Sequence, residues 1–244
     1  MKLKLLLSLV LMMGILYVGY EYFRTQKYIE IGVGIAEKAK AYEQNGVGDL
    51  PTRVLFVGDS SAVGTGALDE EKSVAGYLGN EFENFDIKNI AVNGHKTEDV
   101  VSLLEDMSVE GGWDYLVLQI GGNDIVRRVD VQEIEVNLRN ILERVDGVAE
   151  KVVVFHGGNV GTSKLFPWFV RPYYTYRTQE VRKMYLRVVD DFDGVTYVDM
   201  FRNKSEDPFY LEPEKYYSED NFHPSGAGYR DWYDLMRDVV DFEG

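Results

Sequence analysis

Apolar residues recur along this chain in two rhythms. From residue 52 onward, short unbroken apolar runs alternate with stretches in which apolar residues return every three or four positions. The runs, Arg53–Val57, Ile87–Val92, Tyr115–Ile120, Lys151–Phe155 and Val195–Val198, predict strands buried on both faces. The stretches predict helices over Glu70–Phe82, Glu98–Met107, Val131–Val145, about Thr178–Val189 and Ser225–Val240. In the third of these, Ile134, Leu138, Ile141 and Leu142 share one face. Strands alternating with helices imply an α/β fold with a five-stranded parallel sheet. Right-handed crossovers bring the C-terminal strand ends to one edge, where ligands bind in open sheets of this kind. The first three strands are followed by Gly58-Asp59-Ser60, Asn93-Gly94-His95 and Gly121-Gly122-Asn123-Asp124. With a strand order of 2-1-3-4-5, those three segments are neighbours.

The N-terminus breaks this rhythm. Leu5 to Tyr20 are all uncharged, behind Lys2 and Lys4 and ahead of Glu21. Sixteen residues fall short of the roughly twenty that span a bilayer, but Lys4 can snorkel and Tyr17, Tyr20, Tyr22 and Phe23 form an interfacial aromatic cluster. A cleaved secretory signal is the rival reading, although Tyr-Val-Gly-Tyr-Glu-Tyr-Phe makes a poor cleavage site. Residues 1–23 are therefore expected to be a transmembrane signal anchor. Residues 24–51 are expected to be a juxtamembrane helix, favoured by Ala36, Ala39 and Ala41, and a linker ending at Pro51. Basic residues flank the apolar run on both sides, so orientation rests on its position ahead of the globular part. That position favours a membrane-anchored enzyme with its catalytic domain exported to the periplasmic or extracellular face, or a secreted one if the signal is cleaved.

Charge and composition narrow the chemistry. The 244 residues carry a net charge of −15, which argues against a sequence-independent grip on nucleic acid. Residues 1–27 hold four of the basic residues and only one acidic residue, so the remainder is still more acidic and ill-suited to an anionic lipid surface. Cysteine is absent, which removes disulfides, thiolate nucleophiles, Cys-ligated zinc and iron–sulfur clusters. With only three histidines, at 95, 156 and 223, a metal-centred enzyme is disfavoured.

Nucleophilic catalysis then needs a hydroxyl, a base and a group that orients the base. Ser60 occupies a tight strand-to-helix junction between Gly58 and Gly64, although Asp59, Ser60 or Ser61 could equally be a helix cap. All three histidines fall on the ligand edge or beside it. His223 differs in having Asp220 three residues upstream, placed to accept Nδ1–H and leave Nε2 facing a serine. Asn123 offers a side-chain amide and Gly94 a backbone N–H to a developing oxyanion, though both residue types are also ordinary in turns.

Taken in order, Gly58-Asp59-Ser60, Gly94, Gly121-Gly122-Asn123-Asp124 and Asp220-Asn221-Phe222-His223 resemble the four blocks of the SGNH (GDSL-type) hydrolases. The resemblance implies a three-layer α/β/α flavodoxin-like domain over about 52–244 and a metal-free, cofactor-free esterase or acyl-hydrolase. It implies Ser60 as nucleophile, His223 as base and Asp220 as its orienting carboxylate. The oxyanion hole would be the Ser60 and Gly94 N–H groups with the Asn123 side chain. The chain departs from the motif in carrying Ser61 after the nucleophile, which leaves two adjacent hydroxyls.

The implied substrates are carboxylic esters: a lysophospholipid, a thioester or an acetylated carbohydrate. An O-acyltransferase with the same triad and a catalytically silent anchored binding module are the alternatives. The aromatic stretch between Asn159 and Thr178 supplies candidate substrate contacts in Trp168, Arg171 and Tyr173, unless its aromatics pack on the domain or face the membrane.

Overall fold

β1 (Thr52–Gly58) carries Val54, Leu55, Phe56 and Val57 in succession, and all four are buried. A strand apolar on both faces has to be covered on both. Its alternate residues go to separate cores: Val54 and Phe56 pack into one, Leu55 and Val57 into the other. The computed structural model describes residues 2–106 and 111–242. Within it, β2 (Phe85–Asn89), β3 (Trp113–Gln119), β4 (Ala149–Phe155) and β5 (Val195–Tyr197) join β1 in a parallel sheet of order β2-β1-β3-β4-β5. This order makes the segments that follow β1, β2 and β3 neighbours.

The first core lies under α4 (Thr97–Asp106), α6 (Val131–Val145) and α7 (Arg171–Val189), and the second under α3 (Val74–Glu81) and α10 (Gly226–Val239). The fold is three-layered α/β/α. Short helices occupy the ligand edge: α2 (Ser60–Val63) directly after β1, α5 (Gly122–Arg127) after β3, and α8 (Pro208–Leu211) and α9 (Pro213–Tyr216) ahead of α10.

Several element boundaries differ from expectation. β2 begins at Phe85 rather than Ile87, because Phe85 is buried and its ring stacks on Phe82 at 4.5 Å. The helix expected over Glu70–Phe82 is split at Ser73, which caps α3 by accepting the Gly76 N–H. α7 starts at Arg171, seven residues early, because Pro172 sits in its first turn, where proline costs no helical hydrogen bond. Met107, the expected end of α4, lies outside the described residues.

The N-terminal helix is the other difference. α1 (Lys2–Ala36) is one unbroken helix of 35 residues, about 52 Å long at the helical rise. It is long and apolar enough to cross a membrane. Its first half stands clear of the sheet: every residue from Leu3 to Val18 is exposed. Its second half docks on the sheet's ligand edge. Arg24 donates to the Lys164 carbonyl, Thr25 Oγ1 to that of Leu165, and the Asn93 amide to that of Ala36.

The helix stops there instead of continuing through Ala41. The chain beyond runs extended and bridges antiparallel to β2 at Gln44–Ile87, so an outer hydrogen-bonding partner outcompetes local helix propensity.

Candidate active site

The end of β1 is shaped by a close approach. Gly58 has φ of 151°, and a Cβ there would lie 1.9 Å from the Gln119 carbonyl oxygen, so no other residue fits. The turn that follows buries Asp59, whose Oδ1 accepts from the Ser61 N–H at 2.8 Å and the Ser61 hydroxyl at 2.7 Å. Burial pushes the Asp59 carboxyl up to about 6, against those two hydrogen bonds. Ser61 is thereby committed to Asp59. Ser60, as the first residue of α2, keeps its N–H outside the helical ladder and its hydroxyl turned to the cleft.

The loop ahead of α10 folds around one carboxylate. Oδ1 of Asp220 accepts from the Phe222 N–H, the His223 N–H and the Ser218 hydroxyl, at 2.9, 3.0 and 2.7 Å. Oδ2 accepts from His223 Nδ1 at 2.5 Å. Asp220 is 2% exposed, and burial alone would raise its pKa. The hydrogen bond and charge of His223, with the Phe222 and Ser218 donors, outweigh burial and hold the carboxyl below its ordinary value. His223 Nε2 then lies 3.0 Å from Ser60 Oγ. A hydroxyl, an imidazole and a buried carboxylate stand in line. In that order they can move a proton off the hydroxyl and store the resulting positive charge.

The other histidines are elsewhere. His156 is buried with Nδ1 on the Gly157 carbonyl at 2.5 Å, and burial lowers it to about 4, so it stays neutral. His95 contributes its carbonyl, which accepts from the Asn123 amide at 3.1 Å.

That bond places Asn123 against the Gly94 turn, where Gly94 takes φ of 81°. Asp124, fully buried, fastens the same two segments by accepting from the Thr97 N–H and hydroxyl. The sequence marks Asp124 only as a member of the Gly-Gly-Asn-Asp block. Its staple between α4 and α5 holds the Asn123 amide beside Gly94. Among the described residues, no three His, Asp or Glu side chains gather as a metal ion requires.

Two cavities meet at Ser60. One is a partly open pocket, about 70 Å³, between Asn123, Asn159, Phe209, Tyr217 and Trp232. Asn159 is 3% exposed; its Oδ1 accepts the Gly161 N–H and its Nδ2 has no partner. The same cavity is bordered by Arg202 and Asp231, which form a two-bond ion pair at 2.9 and 3.0 Å. The second is an open groove of about 490 Å³ bordered by Ser60, Gly94, Asn123 and His223 on one side and by α1 on the other.

Trp168, Arg171 and Tyr173, expected as substrate contacts, line neither cavity. Arg171 donates to the Phe166 carbonyl, and Trp168 and Tyr173 are exposed. Sequence reasoning also missed Asn159, Trp232 and the α1 wall. Trp232 reads as an ordinary face residue of the last helix, and α1 as an anchor alone.

The GDSL-like lipase/acylhydrolase family model matches residues 56–230, which holds all four sequence blocks. YpmR of Bacillus subtilis strain 168, an uncharacterised protein, is 24% identical over 200 residues, covering 72% of this chain and 76% of YpmR. A lipolytic G-D-S-L family protein from Veillonella parvula superposes with a TM-score of 0.62 at 16% identity, covering 77% of this chain and 97% of its own. The acetylxylan esterase Axe2 of Geobacillus stearothermophilus superposes with a TM-score of 0.56 at 16% identity, covering 81% and 97%. Axe2 was solved as catalytic mutants of an Asp and a His three positions apart. The match of the family model over most of the chain, on the fold and cleft just described, makes this protein a member of the GDSL-like lipase/acylhydrolase family and an ester-bond hydrolase.

Proposed function

We propose that the chain cleaves carboxylic esters through a Ser60–His223–Asp220 triad. The observation that carries this is the 3.0 Å contact of Ser60 Oγ with His223 Nε2, backed by the 2.5 Å contact of His223 Nδ1 with Asp220. His223 takes the Ser60 proton as Oγ attacks the ester carbonyl, and Asp220, held ionised, stabilises the imidazolium. The negative charge on the tetrahedral oxygen is met by the Ser60 and Gly94 N–H groups and the Asn123 amide. His223 returns the proton to the leaving alcohol, then activates the water that releases the acid.

The spacing of Asp220 and His223 equals that of the Asp and His removed in the Axe2 catalytic mutants. The smaller pocket, with Asn159 Nδ2, Trp232 and the Arg202–Asp231 pair, suits a small polar alcohol such as a glycerol or sugar unit. The first half of α1 anchors the enzyme in a membrane, with the catalytic part, residues 52–244, on the exported side.

The test is a fluorophosphonate probe on the full-length protein in detergent, with the adduct mapped by mass spectrometry. The expected adduct is on Ser60 and is absent in Ser60→Ala. An adduct on Ser61 moves the nucleophile by one residue, and folded wild-type protein with neither adduct nor ester turnover contradicts the reading.

A further inference from the structure

We propose that the docked half of α1 is a wall of the substrate site and selects esters with a long acyl chain, received along the same helix from the bilayer. The proposal rests on the serine-esterase reading of Ser60. It starts from packing. Tyr28, Gly32 and Ala36, four residues apart, form one row of α1, and all three border the groove that ends at Ser60. Gly32 is buried there. A Cβ on it would stand 2.9 Å from Asp220 Oδ2, so the missing side chain lets the helix backbone lie directly on the triad carboxylate.

The neighbouring row has a different character. Ile29 and Val33 also border the groove, yet they are 44% and 55% exposed. Leu165, buried, and Phe222, half-buried, border the same groove. Apolar side chains left open beside a channel leading to a serine are the surface that a hydrocarbon chain would cover. The pocket on the other side of Ser60 is much smaller, about 70 Å³.

The position of the groove names the source of the chain. From Gly32 back to Phe23 is nine residues, about 14 Å of helix. Tyr20, Tyr22 and Phe23 are exposed there, and Trp168 and Phe169 are exposed on the segment that α1 meets at Lys164 and Leu165. Such aromatics settle at the boundary of a bilayer. The catalytic serine is therefore set at a height that a long acyl chain spans and an acetyl group does not. A single rigid helix fixes that height.

The test uses full-length enzyme in detergent micelles with 4-nitrophenyl dodecanoate and 4-nitrophenyl acetate as probes. Val33→Trp and Ile29→Trp each place a ring in the groove without touching the triad. In both, the ratio of kcat/KM on dodecanoate to that on acetate is expected to fall at least tenfold, chiefly through KM on the long ester. Labelling of Ser60 by a small fluorophosphonate, run on the same samples, reports an intact site. An unchanged ratio with Ser60 still labelled overturns the wall while leaving the esterase reading standing. Failure to label Ser60 in the wild type overturns the esterase reading, and the wall with it.

Discussion

The two halves of α1 belong to one unbroken helix and have opposite relations to the rest of the molecule. Gly14 and Gly19, in the first half, have no atom within 4 Å of where a Cβ would be, whereas Gly32 has the Asp220 carboxylate at 2.9 Å. The first half lies exposed, and its length and apolar composition are those of a segment able to cross a membrane. The second half carries charge, in Glu21 and Arg24, and buries it: Glu21 is 8% exposed and pairs with Arg24, whose other bond reaches the Lys164 carbonyl. A helix can thus serve the solvent it enters at one end and the chemistry of a site at the other, with no hinge between them.

That contrast can be broken or sharpened in four ways, in falling order of effect. If α1 only shapes the groove, the chemistry belongs to the sheet edge. Asn123→Ala should then lower turnover by about a hundred- to a thousandfold without lowering the melting temperature, a larger loss than any α1 variant gives. Next, Gly32→Leu should lower kcat/KM by about tenfold or more, because its side chain meets Asp220 and a misplaced orienting group is costly. Gly19→Leu, in the free half, should leave kcat/KM unchanged. Equal effects of the two would erase the distinction.

Third, Arg24→Ala leaves Glu21 buried without its partner, at a cost of about 1–3 kcal/mol. Amide exchange over residues 25–36 should speed up accordingly, with no change over residues 3–18.

The smallest effect concerns the layer beneath the site. Burial lowers His156 from 6.5 to about 4, so the folded state prefers the neutral ring. The stability this contributes is complete above pH 6.5 and is lost as pH falls toward 4, about 2 kcal/mol of it between pH 7 and 5. His156→Leu should flatten that part of the urea-midpoint profile, while α1 docking stays the same.

The parallel sheet was readable because each strand of continuous apolar residues has to be covered on both faces. The adjacency of Ser60, Asn123 and His223 was readable because each lies within a few residues of a strand end or helix start, where local motif and global position coincide. The docking of α1 was not. It depends on contacts such as Arg24 with Lys164, 140 residues apart, and on a Gly32 that reads as any glycine in an apolar helix. The expected contacts Trp168, Arg171 and Tyr173 line neither cavity for a related reason. Their composition fits a substrate wall, but α7 begins among them and directs Trp168 and Tyr173 to the surface. Asn159 gave no periodic or motif signal at all. What marks it is a buried amide nitrogen without a partner, and that appears only in three dimensions.

On the proposed mechanism, Ser60 and His223 act as one device across a 3.0 Å contact. The most direct measurement is ester turnover by full-length Ser60→Ala, His223→Ala and the double variant, at equal folded concentration. If the two residues form one proton-transfer unit, the double variant should be no slower than Ser60→Ala alone. Losses that multiply in the double variant would mean that the residues act independently, and would contradict the triad.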